Sequence, residues 1–150
     1  MLRRDLVKLL LGSGAVAISG LLKPVKAWAI WNDAAFGAQN QEAALDAYYP
    51  GATIKASDRI SIGVRQEIEN GAVVPIKINS DLPDIKSIAI FVEKNPNPLI
   101  ANFDLSPRTS GFVSTRMKMD QSSEIMVVVV SGDQVYSNKT YVTVHEGGCA

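Results

Sequence analysis

Short alternating apolar segments between turn residues, no helical crossovers between them, and one isolated helix-forming run predict an all-β chain. The expected architecture is an antiparallel β-sandwich of immunoglobulin-like type with one short N-terminal helix, preceded by a cleavable signal peptide. The chain has 150 residues, 47% of them hydrophobic and 20% charged, which is room for one domain and a buried core. Nothing in that composition resembles a disordered tail, a fibre or a disulfide-stapled miniprotein.

Residues 1–29 read as an export signal. Arg3, Arg4 and Lys8 form a basic head, 9–22 is uncharged, and Ala27-Trp28-Ala29 offers a small-x-small cleavage site. The uncharged stretch contains Gly12, Ser13, Gly14, Ser19 and Gly20 and is shorter than the ~20 apolar residues a spanning helix needs. A retained N-terminal anchor helix is the alternative. Arg3-Arg4 followed by Asp5-Leu6-Val7-Lys8 resembles a twin-arginine signal, whose translocon carries folded proteins; the general secretory route is the other option. Cleavage would remove five bases (Arg3, Arg4, Lys8, Lys23, Lys26) and one acid (Asp5) from 15 of each, so that 30–150 carries a net charge of about −4. That mild acidity fits a periplasmic protein and disfavours nucleic acid and anionic lipid as partners.

In the domain, Asn40 is a candidate N-cap for a helix over 41–49, rich in helix formers and stopped by Pro50-Gly51. Its apolar side is Ala44, Leu45 and Tyr48, with Phe36 beneath. A strand over 60–64 puts Ile60, Ile62 and Val64 on one face. Asn70-Gly71 is expected to turn the chain with positive φ. Strand 73–79 then presents Val74, Ile76 and Ile78 on one side, and Pro75, which cannot donate to a ladder, predicts an edge position. Strand 87–93 has Ile88, Ile90 and Val92 on one face and Ala89 and Phe91 on the other. Lys94-Asn95-Pro96-Asn97-Pro98 is a loop. Further strands are expected at 99–105, 112–119, 124–131, 134–137 and 140–145, with a hairpin turn at Gly132-Asp133. Met117 and Met119 alternate with Arg116 and Lys118, the pattern of a buried strand face; Met126 reads as core too.

Most enzymatic constellations are missing. One histidine and one cysteine exclude a Cys/His zinc set and a Cys-x-x-Cys redox pair, and no Gly-rich loop joins a strand to a helix. No metal and no cofactor are expected. What remains is the tail, His145-Glu146-Gly147-Gly148-Cys149-Ala150. A lone cysteine in an exported protein has no internal partner, and Gly147 and Gly148 widen the backbone's choices beside it, so 146–150 reads as a swinging arm with a thiol near its tip. Thiolate sulfur forms mixed disulfides and persulfides, so such an arm can carry sulfur between enzymes. From the tail alone, an unused cysteine, or one that joins two copies through a disulfide, stands beside the carrier reading. His145 reads as a strand-end residue rather than a base for Cys149.

Several blocks in order carry a resemblance. Phe36-Gly37 with the following helix, Ser57-Asp58-Arg59-Ile60, Glu69-Asn70-Gly71-Ala72-Val73-Val74-Pro75, Lys94-Asn95-Pro96-Asn97-Pro98-Leu99, Ser114-Thr115-Arg116-Met117-Lys118-Met119 and Gly147-Gly148-Cys149 are similar to the SoxY family, the sulfur-carrier subunits of the periplasmic Sox system. The resemblance implies a carrier rather than an enzyme. It implies a heterodimer with a SoxZ-like subunit, thiosulfate-derived intermediates held covalently on Cys149, Gly147 and Gly148 as the flexible approach, and service to separate haem-, manganese- and molybdenum-dependent enzymes. The sequence departs from the family pattern after Cys149, where Ala150 stands in place of two further glycines. A terminal carboxylate there is expected to make the thiol harder to ionise.

Overall fold

Asparagine side chains open both helices found among the residues that the computed structural model describes, 32–145. Helix α1 (Asp33–Phe36), not anticipated in the sequence, begins where the Asn32 side chain accepts from Ala35 N at 3.0 Å; the Asn32 amide also donates to Ala47 O at 3.0 Å, tying α1 to α2. Helix α2 (Gln41–Tyr48) starts as expected, with Asn40 Oδ1 accepting from Ala43 N at 2.8 Å. It closes through Tyr49 N to Leu45 O at 2.7 Å, and Gly51 at φ +70° turns the chain away. Ala35 and Ala44 are fully buried, and Phe36 meets Tyr48 edge-on at 6.4 Å, so the expected apolar side is the one that packs.

The strands are β1 (Ile54–Ala56), β2 (Ile60–Gly63), β3 (Glu67–Ile68), β4 (Val74–Ser80), β5 (Ile85–Val92), β6 (Leu99–Asp104), β7 (Phe112–Met117), β8 (Ser123–Ser131) and β9 (Gln134–Val144). The larger sheet runs β1-β9-β8-β5-β6, with β3 added to β9; the smaller runs β2-β4-β7. Between them lies the main core: Ile60, Val74, Ile76 and Ile78 from the smaller sheet against Ile88, Ile90, Val92, Ile125, Val127 and Val129 from the larger. The opposite faces of β5 and β8 carry Ala89, Phe91, Met126 and Val128, which pack under α1 and α2. Strands buried on both faces lose the polar alternation of a half-exposed strand, hence the unbroken run Val127-Val128-Val129-Val130. The immunoglobulin-like sandwich thus forms as expected. Met117, Met119 and Met126 are all buried core residues.

The details differ in four places. The expected strands 134–137 and 140–145 are one strand, β9, in unbroken register with β8. Asn138 and Lys139 look like a break in sequence but are satisfied in place: Asn138 Nδ2 donates to Ile60 O at 2.6 Å, and Lys139 pairs with Glu124 at 2.7 Å. Strands β1 and β3, too short to show a period, were not foreseen, and both lie parallel to β9. Pro75 sits in the central strand of the smaller sheet, not at an edge; it is tolerated because β2 pairs only with 77–80, leaving that flank of Pro75 without a strand. Finally, Gly71 does not adopt positive φ. Its lack of a side chain matters for another reason, since a Cβ there would stand 2.1 Å from the Met119 carbonyl oxygen and 3.1 Å from Val144 Cγ1. The Gly132 turn between β8 and β9 does use positive φ, at +55°.

Candidate functional site

Cys149, Gly147 and Gly148, the residues singled out by sequence, lie outside the described residues, as does the stretch 1–29 expected to be an export signal. The structure does describe the ground from which the tail departs. Strand β9 ends at Val144, and His145 follows it, exposed, as the strand-end residue expected.

This root is held from both sides. On one edge β3 pairs with it in parallel, Glu67 with Thr143 and Ile68 with Val144, through Thr143 N to Gln66 O at 2.7 Å and His145 N to Ile68 O at 2.8 Å. On the other edge the backbone ladder with β8 stops at the Ser123–Val142 pair, and a side chain takes over. The Ser122 hydroxyl accepts from Val144 N at 2.9 Å and donates to Val144 O at 3.2 Å. Successive residues of a strand aim their amides in opposite directions, so β3 holds Thr143 and His145 while Ser122 holds Val144 between them.

Neighbouring loops brace the clip. Met119 N donates to Gly71 O at 2.8 Å, bringing the β3–β4 turn against the chain between β7 and β8. The buried Asn95 side chain donates to Lys118 O at 2.8 Å and accepts from Asp120 N at 3.0 Å, while Lys94 N donates to Ser123 Oγ at 3.0 Å. Three blocks separate in sequence, 69–75, 94–99 and 114–119, therefore converge at one end of the sandwich, where β9 ends. Charges at this end are solvated. Lys118 pairs with Asp120 at 2.6 Å, and Arg65, Glu67 and Glu69 line a shallow groove beside β3. Strongly shifted ionisation lies elsewhere, at the opposite end of β5: burial first, then Tyr48 and Asp104, push the Tyr49 hydroxyl well above its ordinary range, against a smaller pull from Ser87.

Sequence reasoning missed Ser122, the β3 backbone and the bridging role of Asn95. Ser122 sits in an ordinary polar turn and gives no local signal. Asn95 does stand out, but its place before Pro96 marks a loop and hides that the same side chain can replace a backbone partner for two other segments. Among the described residues no three His, Cys, Asp or Glu side chains gather to hold a metal ion, and no helix is long and apolar enough to cross a membrane.

Fold and site together define a small β-sandwich with no catalytic constellation among its described residues and a firmly anchored base for a cysteine-bearing tail. The chain belongs to the SoxY family: the family profile described as "Sulfur oxidation protein SoxY" matches residues 45–149. It is similar to the sulfur carrier protein SoxY from Chlorobium limicola f thiosulfatophilum, with 34% identity, coverage of 76% of this chain and 99% of that one, and a TM-score of 0.66. A chain from a study of T cell activation by the bacterial superantigen toxic shock syndrome toxin-1 aligns at 14% identity over 57% of this chain and 97% of that one, TM-score 0.43. A CARDB domain from Pyrococcus furiosus aligns at 10% identity over 58% of this chain and 91% of that one, TM-score 0.38. Neither bears on function. No curated protein matches.

Proposed function

We propose that this protein is a periplasmic carrier of thiosulfate-derived sulfur intermediates, held covalently on Cys149, and that it works with a SoxZ-like subunit and separate Sox enzymes instead of catalysing a reaction itself. Loading removes the thiol proton and forms a sulfur–sulfur bond between Cys149 and the terminal sulfur of thiosulfate. The two electrons released pass to a haem-containing partner, so the carrier supplies the attachment atom and the partner the oxidant. Gly147 and Gly148 give the arm its freedom, and the sandwich gives it a fixed origin.

The observation that carries this reading is the family match, which runs through the sandwich to residue 149 and so includes the cysteine. The two-sided grip on Val144 supports it, because a carrier arm needs a firm base as much as a mobile tip. The test is Cys149→Ser in a reconstituted thiosulfate-oxidising system, with intact mass of the wild-type chain in parallel. Loss of nearly all thiosulfate oxidation, with sulfur-containing mass increments confined to chains that keep Cys149, is the expected result. Undiminished oxidation by Cys149→Ser, with a stable disulfide-linked pair of wild-type chains, would overturn the reading in favour of a module that dimerises through its cysteine.

A further inference from the structure

We infer that Ser122 is a positioning residue for sulfur transfer: its hydroxyl closes the clip on Val144 and so sets the point about which the Cys149 arm turns. The inference rests on the carrier reading above and adds to it a residue outside the tail.

Beyond Val142 the β8 backbone no longer pairs with β9, so Ser122 alone serves that edge, taking both the N–H and the C=O of Val144. The other edge is served by β3, only two residues long. With both sides closed, the origin of the arm is His145, and four residue steps separate it from Cys149, a reach of at most about 14 Å. With the Ser122 hydroxyl removed, Val144 has no partner on that edge, and the outermost bond on the other, His145 N to Ile68 O, is left to fray by itself; when it opens, the origin retreats to Thr143, still held by Gln66 O, six steps from the sulfur. The concentration of a tethered group at its target falls roughly as the −3/2 power of tether length once the span is reached. Going from four steps to six therefore lowers it about two-fold. Ser122 touches neither cargo nor sulfur, and it acts only by fixing where the tether begins.

The test compares Ser122→Ala, Ser122→Thr and a wild-type chain lengthened by two glycines after Glu146, each in the full-length carrier with its partner subunit. Amide exchange at Val144 should speed up at least ten-fold in Ser122→Ala and return to the wild-type rate in Ser122→Thr, which keeps the hydroxyl. In the reconstituted thiosulfate-oxidising system kcat should fall about two-fold in Ser122→Ala and in the lengthened chain alike, with KM for the carrier unchanged. Alkylation of Cys149 by iodoacetamide should keep the wild-type rate in all three, since thiol chemistry is untouched. An unchanged Val144 exchange rate, an unchanged kcat, or a rise in KM in place of the fall in kcat would overturn the inference. Failure of the carrier reading is read separately, from Cys149→Ser.

Discussion

Gly71 shows how one missing side chain can hold several elements together. A Cβ there would lie 2.1 Å from a backbone oxygen of Met119, which cannot swing aside as a side chain can, and Met119 N is itself bonded to Gly71 O. Gly71→Ala should therefore destabilise the protein by about 2–4 kcal/mol, read as a lowered urea midpoint. Stability within about 0.5 kcal/mol of wild type would show that the loops yield. Tyr49 makes a different residue-level prediction. Its hydroxyl is raised above the ordinary tyrosine value of 10.0, chiefly by burial. The unfolded chain therefore loses this proton first as pH rises, and the stability that the neutral group contributes is complete below about pH 10 and drains away above it. The urea midpoint of the wild type should fall more steeply above about pH 10 than that of Tyr49→Phe, and equal slopes there would contradict the assignment. Asn70-Gly71 looked like a tight hairpin signal because that pair usually is one. The demand for glycine was legible at that position, whereas its cause, a close approach from forty-eight positions away in sequence, was not.

At the scale of elements, the long alternating strands were legible because burial of one face imprints a period of two on the sequence. Val74, Ile76 and Ile78 in β4 read off directly. Helix α2 was legible through its cap and its stop. Strands β1 and β3 were not, because three and two residues leave no period to read and their pairing with β9 is decided by tertiary placement. Strand β9 was split in expectation because two polar residues interrupt its apolar pattern; the partners that satisfy them, Ile60 O and Glu124, come from other parts of the chain. Helix α2 also carries a test of its role as a lid on the larger sheet. Ala44 is fully buried against that sheet, and Ala44→Asp would place a charge there. The expected outcome is release of α1 and α2 at a penalty above about 2 kcal/mol, with fast amide exchange in 33–48 and binding of a hydrophobic dye to the uncovered Phe91 and Met126 surface. Exchange in 33–48 as slow as in wild type would mean that the helices do not depend on this contact.

Seen whole, the molecule is laced along one side. The stretch 54–68 enters the larger sheet as β1, crosses to the smaller as β2 and returns as β3, and both visits to the larger sheet land on β9. Asn138 adds a stitch between them, from β9 to the backbone of β2. The family membership was legible in the sequence through blocks scattered along the chain, and the convergence of three of those blocks beside the end of β9 became visible only once the chain was folded. The lacing also bears on what happens when the tail is seized. A pull on Val144 directed along β9 meets β8 along one flank and β1 and β3 along the other. Under a load in that direction the bonds must slide together instead of parting one after another, so the end of the strand withstands a hard haul without unravelling the body behind it.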